Sequence, residues 1–291
     1  MTTWRAASAT HVGLVREANE DSLYVDDQLA LVADGMGGHA AGEVASELAI
    51  SIYQQHVATD LSLTGLAEGL AHANQSILDD ARAHPERQGM GTTLTGVALI
   101  PYGGGHAVAW ANIGDSRLYL VRGGLIEQVT DDHSVAEEWV RQGRITKAEA
   151  AVHPRRHQLT RVLGMDVFTD GDTGLLPAVA GDRLVLCSDG LSNEVSDADI
   201  ARIVSGESDL DVVCDQLIQQ ALNAGGRDNI SVVVLEIESV DVEIPDTPVR
   251  SPMPPTPSAA PAIRRQSRST PTILRYITWR SSAFAGAVLA L

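Results

Sequence analysis

Apolar runs rich in β-branched residues alternate along the chain with stretches of helical spacing. Residues 29–33, 92–100, 107–113, 117–121, 183–187 and 230–237 predict strands. Gly-bearing links at 101–105 and 123–124 suit hairpins, and hairpins imply antiparallel pairing. Residues 42–56, 63–83, 135–142 and 209–223 predict helices. In the last of these Leu210, Val213, Cys214, Leu217, Ile218 and Leu222 share one face. The helices fall in groups between strand pairs rather than after every strand. That pattern predicts an α+β fold with helices packed on antiparallel sheets, not a doubly wound parallel sheet.

Composition adds a charge argument. The 291 residues are 44% hydrophobic but only 4% aromatic, so the core must be built of Ala, Val, Leu and Ile. A net charge of −17 excludes a nucleic-acid backbone as main partner, since phosphates need a basic footprint. The charge is uneven: residues 1–244 carry −22 and residues 245–291 carry +5. The expected organisation is a catalytic domain at 1–244 and a flexible Pro/Ser/Thr-rich linker at 245–272. A basic segment follows at 273–291 and runs into the apolar SSAFAGAVLAL. Eleven such residues are fewer than the ~20 that span a bilayer. With Arg264, Arg265, Arg268, Arg275 and Arg280 before them and Tyr276 and Trp279 alongside, they predict the start of a membrane anchor. No signal-peptide pattern occurs at the N-terminus, so the domain is expected in the cytoplasm, tethered to the inner face of the membrane. Cys187 and Cys214 form neither a metal-ligand pattern nor a disulfide framework.

The informative acids lie at strand ends beside glycine. Asp34-Gly35 follows the run 29–33, Gly114-Asp115 follows 107–113, Asp189-Gly190 follows 183–187, and Gly226-Arg227-Asp228-Asn229 precedes 230–237. Asp-Gly alone is a common turn dipeptide, and Asp182 and the 170–172 turn are expected to be structural. Four sites of similar design imply one locus. Clustered carboxylates without matching Lys repel one another unless hard cations such as Mg²⁺ or Mn²⁺ neutralise them. Two such ions form the usual machinery for in-line attack at phosphorus. Near the N-terminus Arg16, Glu20 and Asp21 add an acid pair and a guanidinium able to fork onto phosphate oxygens.

These stretches resemble the bacterial metal-dependent Ser/Thr phosphatases of the protein phosphatase 2C family. The resemblance rests on VREANEDS (15–22), ADGMGGHAAGEVAS (33–46), GMGTTL (89–94), ANIGDSRLYL (111–120), LTRVLG (159–164), LVLCSDGLSNEV (184–195) and GGRDNISVVVL (225–235). It implies a four-layer α-β-β-α sandwich with the metal cleft at one end. It also implies two Mn²⁺ or Mg²⁺ ions in the core and a third, weaker one. Asp34 would bridge the two core ions and the Gly35 carbonyl would bind one. Asp189 and Asp228 would hold the other, with Glu20 and Asp21 acting through bound water. Asp115 would join Asp189 at the third ion, Arg16 would bind the substrate phosphate, and Asn229 would support the geometry around Asp228. Residues 132–157 would form the flap beside the cleft.

The implied reaction is hydrolysis of phosphoserine and phosphothreonine in proteins by a hydroxide bridging two metals, without a phosphoenzyme. The acidic domain, linker and apolar end look most like membrane-anchored actinobacterial members that oppose receptor-type Ser/Thr kinases. Phosphorylated kinases and their substrates would then be the partners of a monomeric catalytic domain. Two other readings stand beside this one: an inactive phosphatase fold serving as a binding module, and a phosphatase of an anti-anti-sigma factor. The general acid is open. Eukaryotic relatives have a histidine where this chain has Met36, which leaves His39, His153 or a bound water.

Overall fold

The central strands are apolar at consecutive positions because each of their faces meets a different layer. The computed structural model describes residues 2–37, 41–164 and 170–241. The expected linker and anchor, and His39, lie outside these residues. One sheet has the order β1-β11-β10-β7-β8, formed by β1 (Thr3–His11), β11 (Ile230–Ser239), β10 (Arg183–Cys187), β7 (Arg117–Arg122) and β8 (Leu125–Gln128). The other has the order β2-β3-β5-β6-β9, formed by β2 (Asp21–Val25), β3 (Leu29–Met36), β5 (Leu94–Tyr102), β6 (Gly105–Ile113) and β9 (Asp172–Leu176). The short β4 (Gly91–Thr92) pairs with the end of β3. Every pairing is antiparallel.

Period-two alternation sorts the side chains. Ala30 and Val32 of β3 meet Val233, Leu235 and Ile237 of β11 in the layer between the sheets, together with Trp4 and Trp110. Leu29, Leu31 and Ala33 point the other way, under α1 (Ala41–Thr59) and α2 (Leu63–Ala83). Val232 and Val234 likewise face α6 (Asp197–Gly206) and α7 (Leu210–Ala224). The result is the expected α-β-β-α order of layers. Ser62 caps α2 by accepting from the Gly65 amide, and Asp209 caps α7 by accepting from the Asp211 and Val212 amides. Asp182, as expected, is structural, held by a bidentate Arg122 at 2.7 Å.

The structure departs from the sequence pattern in several places, strands β2, β8 and β9 among them. The single strand expected at 92–100 is two, broken at Thr93, whose polar atoms are turned to Asp34. Its hydroxyl accepts from the Asp34 amide at 2.9 Å, and its own amide donates to the Asp34 carbonyl at 2.9 Å. Strand β1 carries too many small and polar residues to be seen as a strand, and is fixed only by its ladder with β11. Helix α6, with N-cap Ser196, was hidden by its short length. The expected flap contains α3 (Val135–Arg141) and α4 (Lys147–Ala151), each with a serine or threonine N-cap.

Antiparallel pairing puts the end of one strand beside the start of its neighbour. Cys187 at the end of β10 is paired with Val232 near the start of β11, and Ile113 at the end of β6 with Leu94 at the start of β5. His11 at the end of β1 is paired with Ile230. Asp34, near the end of β3, faces Asp21 at the start of β2. The acids that follow or precede these strands therefore gather at one end of the sandwich.

Candidate metal centre and phosphate cleft

At that end a cleft of about 270 Å³ is lined by Arg16, Glu20, Asp34, Gly35, Asp115, Asp189, Asp228 and Asn229. Eight of the nine residues expected from the sequence thus share one surface. The ninth, Asp21, is buried beside the cleft, paired with Asp34 in the same sheet. Met36, Thr93, His157 and Leu159 complete the walls.

Close backbone packing holds the acids. A Cβ on Gly35 would come within 2.1 Å of the Gly42 carbonyl oxygen and 2.5 Å of that of Glu20, so only glycine fits. The Glu20 carboxylate accepts from the Gly42 amide in the first turn of α1, where the helix dipole favours negative charge. Asn229 fastens the preceding loop: its Nδ2 donates to the carbonyls of Val12 and Ala18, both at 2.9 Å, and its Oδ1 accepts from the Glu20 amide at 2.8 Å. Its own amide donates to Asp228 Oδ1 at 2.9 Å. The supporting role expected for Asn229 is therefore wider than Asp228 alone.

Electrostatics point to missing positive charge. Desolvation pushes the proton affinity of Asp34 well above the usual carboxylate range, and Asp21, Asp189, Asp115 and Asp228 push it further. Asp115 is raised in the same way by burial and by Asp189. Asp21 is pushed up to about 7, chiefly by burial, against the opposing hydrogen bond from Ser188 at 2.8 Å. Burial also raises Glu20, with Arg16 opposing. The Oδ1 of Asp21 is buried with no hydrogen-bond partner. A native fold does not leave a buried carboxylate oxygen unmatched without a use for it.

The donor set, all carboxylate and carbonyl oxygen, fits Mg²⁺ or Mn²⁺. Among the described residues no three acid, imidazole or thiol groups stand close enough to grip an ion as they lie. Asp228 is turned to Arg16 at 2.7 Å, and Asp189 accepts from Asn193 at 2.9 Å. The hydrogen bond to Asp228 strengthens the guanidinium's hold on its proton.

Two groups were not anticipated. Thr93 anchors Asp34, and the signal was a run of buried threonines inside an apolar strand. His157, expected only as the flap's boundary, lines the cleft with Nδ1 at 3.7 Å from Asp189 Oδ2. His153 instead meets the edge of Trp139, ring centres 4.9 Å apart, and does not line the cleft. Cys187 and Cys214 are free and buried, with both thiols pushed up to about 12 by desolvation.

Comparison with known proteins gives a consistent result. A family profile described as Protein phosphatase 2C matches residues 13–225. The serine/threonine phosphatase stp of Listeria innocua is 37% identical over 239 residues, 78% of this chain and 93% of that protein. The serine/threonine protein phosphatase PstP of Mycobacterium tuberculosis is 40% identical over 242 residues. That alignment covers 81% of this chain but only 46% of PstP, so the chain spans less than half of that relative. The crystal structure of the M. tuberculosis PstP/Ppp phosphatase superposes with a TM-score of 0.74 at 40% identity, covering 81% of this chain and 99% of that one. A PstP catalytic domain in complex with two manganese ions superposes with a TM-score of 0.73 at 37% identity, covering 82% and 100%.

Proposed function

The chain belongs to the protein phosphatase 2C family, and we propose that Arg16, Glu20, Asp21, Asp34, Gly35, Asp115, Asp189, Asp228 and Asn229 are the working parts of a metal-dependent serine/threonine protein phosphatase. The observation that carries this reading is a set of buried, mutually repelling carboxylates beside one guanidinium, with an unmatched oxygen on Asp21.

Asp34, the Gly35 carbonyl, Asp189 and Asp228 would hold two Mn²⁺ or Mg²⁺ ions, and Asp115 with Asp189 a third. When bound, such ions offset charge on the phosphoryl oxygens and make the attacking water acidic enough to react at neutral pH. Arg16 orients the phosphate by a charge-assisted fork, leaving Asp228 free for the ion. Asn229 holds the loop that carries Arg16 and Glu20, and Thr93 holds the Asp34 backbone, so the main chain of the site is fixed and only side chains such as Arg16 need turn. Neither cysteine is available as a nucleophile, because both thiols are buried and protonated. The proposed reaction is a single displacement by water, without a phosphoenzyme.

The proposed substrates are phosphorylated Ser/Thr kinases and their targets. A tether to the inner face of the membrane through 273–291 is proposed on the arginines and apolar run of that segment; among the described residues no helix is long and apolar enough to cross a membrane. Phosphate release from phosphothreonine peptides tests the activity: it should occur with Mn²⁺ and stop with EDTA. A scaffold protein would release none and need not bind Mn²⁺. Recovery of the natural gene product in the membrane fraction tests the tether.

A further inference from the structure

The flap is rooted by a buried histidine that has no part in the proposed chemistry. His133 is fully buried. Its Nδ1 accepts from the Gly114 amide at 3.1 Å, so Nδ1 carries no proton and Nε2 donates to Asp172 Oδ2 at 3.2 Å. The backbone doubles this contact, the His133 amide donating to the Gly114 carbonyl at 2.9 Å. The preceding residue, Asp132, takes a bidentate pair from Arg117 at 2.9 and 2.7 Å. Gly114 and Arg117 flank Asp115. Two consecutive residues at the entry to the flap therefore grip the turn that carries Asp115 from both sides.

The exit of the flap is tied to the same histidine. The Thr160 amide donates to the His133 carbonyl at 2.7 Å, and the Val135 amide donates to the Gln158 carbonyl at 2.8 Å. Arg161 binds Asp172 at 2.8 Å and so closes the chain His133–Asp172–Arg161. The Gly114 turn has little freedom of its own. Its φ is 111°, and a Cβ there would lie 2.5 Å from the Thr93 side chain.

We propose that His133 is a positioning residue whose side chain, with the main-chain bonds and the Arg117–Asp132 pair beside it, latches both ends of the flap to the Asp115 turn and so couples the flap's placement to the cation affinity of Asp115. It acts through Gly114 and touches neither substrate nor ion. Linkage then requires that an ion taken up at Asp115 tighten the flap root in return. The proposal rests on the reading of Asp115 as a cation ligand.

Amide hydrogen exchange and Mn²⁺ calorimetry on the full-length chain test it. In metal-free protein His133→Ala should speed exchange at Gly114, Val135 and Thr160 about tenfold or more while β5 amides stay protected. It should also weaken the weakest Mn²⁺ step by about tenfold, and an unchanged step overturns the coupling. His133→Asn, whose Oδ1 can stand where Nδ1 accepts, should restore protection at Gly114. Unchanged exchange at Gly114 in His133→Ala, or loosening spread evenly through β5, overturns the latch. Should that variant not fold, Asp172→Ala frees Nε2 and must raise Gly114 exchange; no rise overturns the latch equally. Asp115→Asn separates the two readings. It should remove the weakest Mn²⁺ step without loosening Gly114 in metal-free protein, and an intact step would sink the reading of Asp115 on which the coupling depends.

Discussion

Asp21 lies directly opposite Asp34 across the antiparallel β2–β3 pair, with one oxygen buried and unbonded. Facing like charges destabilise a sheet, and burial raises the proton affinity of both. The pair is therefore a standing cost to the metal-free fold that a cation removes.

The pH dependence follows with a definite sign. Both acids hold a proton more tightly folded than unfolded, so their contribution to metal-free stability is fully present below about pH 4, the ordinary carboxylate value. It is lost as pH rises to about 7, where Asp21 titrates. Asp172, held below the usual range by His133 and Arg161 against the cost of burial, runs the other way and gives up its contribution only below about pH 4. In EDTA, folding stability should fall between pH 4 and 7 by on the order of a few kcal/mol, at ~1.4 kcal/mol for each tenfold change in proton affinity, and Tm should fall with it. Saturating Mn²⁺ should cancel the fall, because ligand binding demands deprotonated acids. A Tm in EDTA that climbs across this window contradicts the account.

Asp34→Asn removes an acid whose proton affinity burial and four neighbouring aspartates all raise. Phosphopeptide hydrolysis should fall by more than about 100-fold, the upper range for losses of groups that only support a ligand. Metal-free Tm at pH 7 should rise, because one of two facing charges is gone. Steady-state kinetics and a melting curve on the same preparation read both effects, and an active variant would exclude the proposed role of Asp34.

Arg16 is half-exposed and must exchange Asp228 for phosphate. Arg16→Ala should raise KM for phosphopeptides and lower kcat/KM about 10- to 100-fold, the worth of a charge-assisted hydrogen bond. Arg16→Lys should fall between, since an ammonium cannot fork. Equal kinetics for all three proteins would remove Arg16 from the phosphate site.

Asn229→Ala cuts three side-chain bonds that hold residues 12–20. Stability should drop by about 2 kcal/mol, since three part-buried hydrogen bonds to Val12, Ala18 and Glu20 are lost together. Mn²⁺ affinity should fall about 10- to 100-fold as Glu20 loosens. Denaturant titration and calorimetry measure the two separately. Loss of stability with full Mn²⁺ affinity would confine Asn229 to folding.

Much of the fold was legible because covered sheets impose continuous apolar runs. β3, β6, β10 and β11 stand out in the sequence for that reason, and α2 was delimited by its spacing alone at 63–83. β1 and β2 were not, because their polar and small residues gain order only from their partners β11 and β3. Thr93 was absorbed into a strand for the same cause: its polar contacts are with Asp34, far away in sequence.

The sequence by itself singled out the candidate acids, since Asp near Gly at four strand ends is a local pattern and its charge excess a matter of counting. It also fixed the α+β class, because periodicity is local. Only the tertiary structure decided that Asp21 faces Asp34, that Asn229 ties the Arg16 loop, that His157 rather than His153 reaches the cleft, and that His133 grips Gly114. These are contacts between segments far apart in the chain, set by strand order and register. No local spacing encodes which sheet ends meet, so such contacts exist only once the layers have packed.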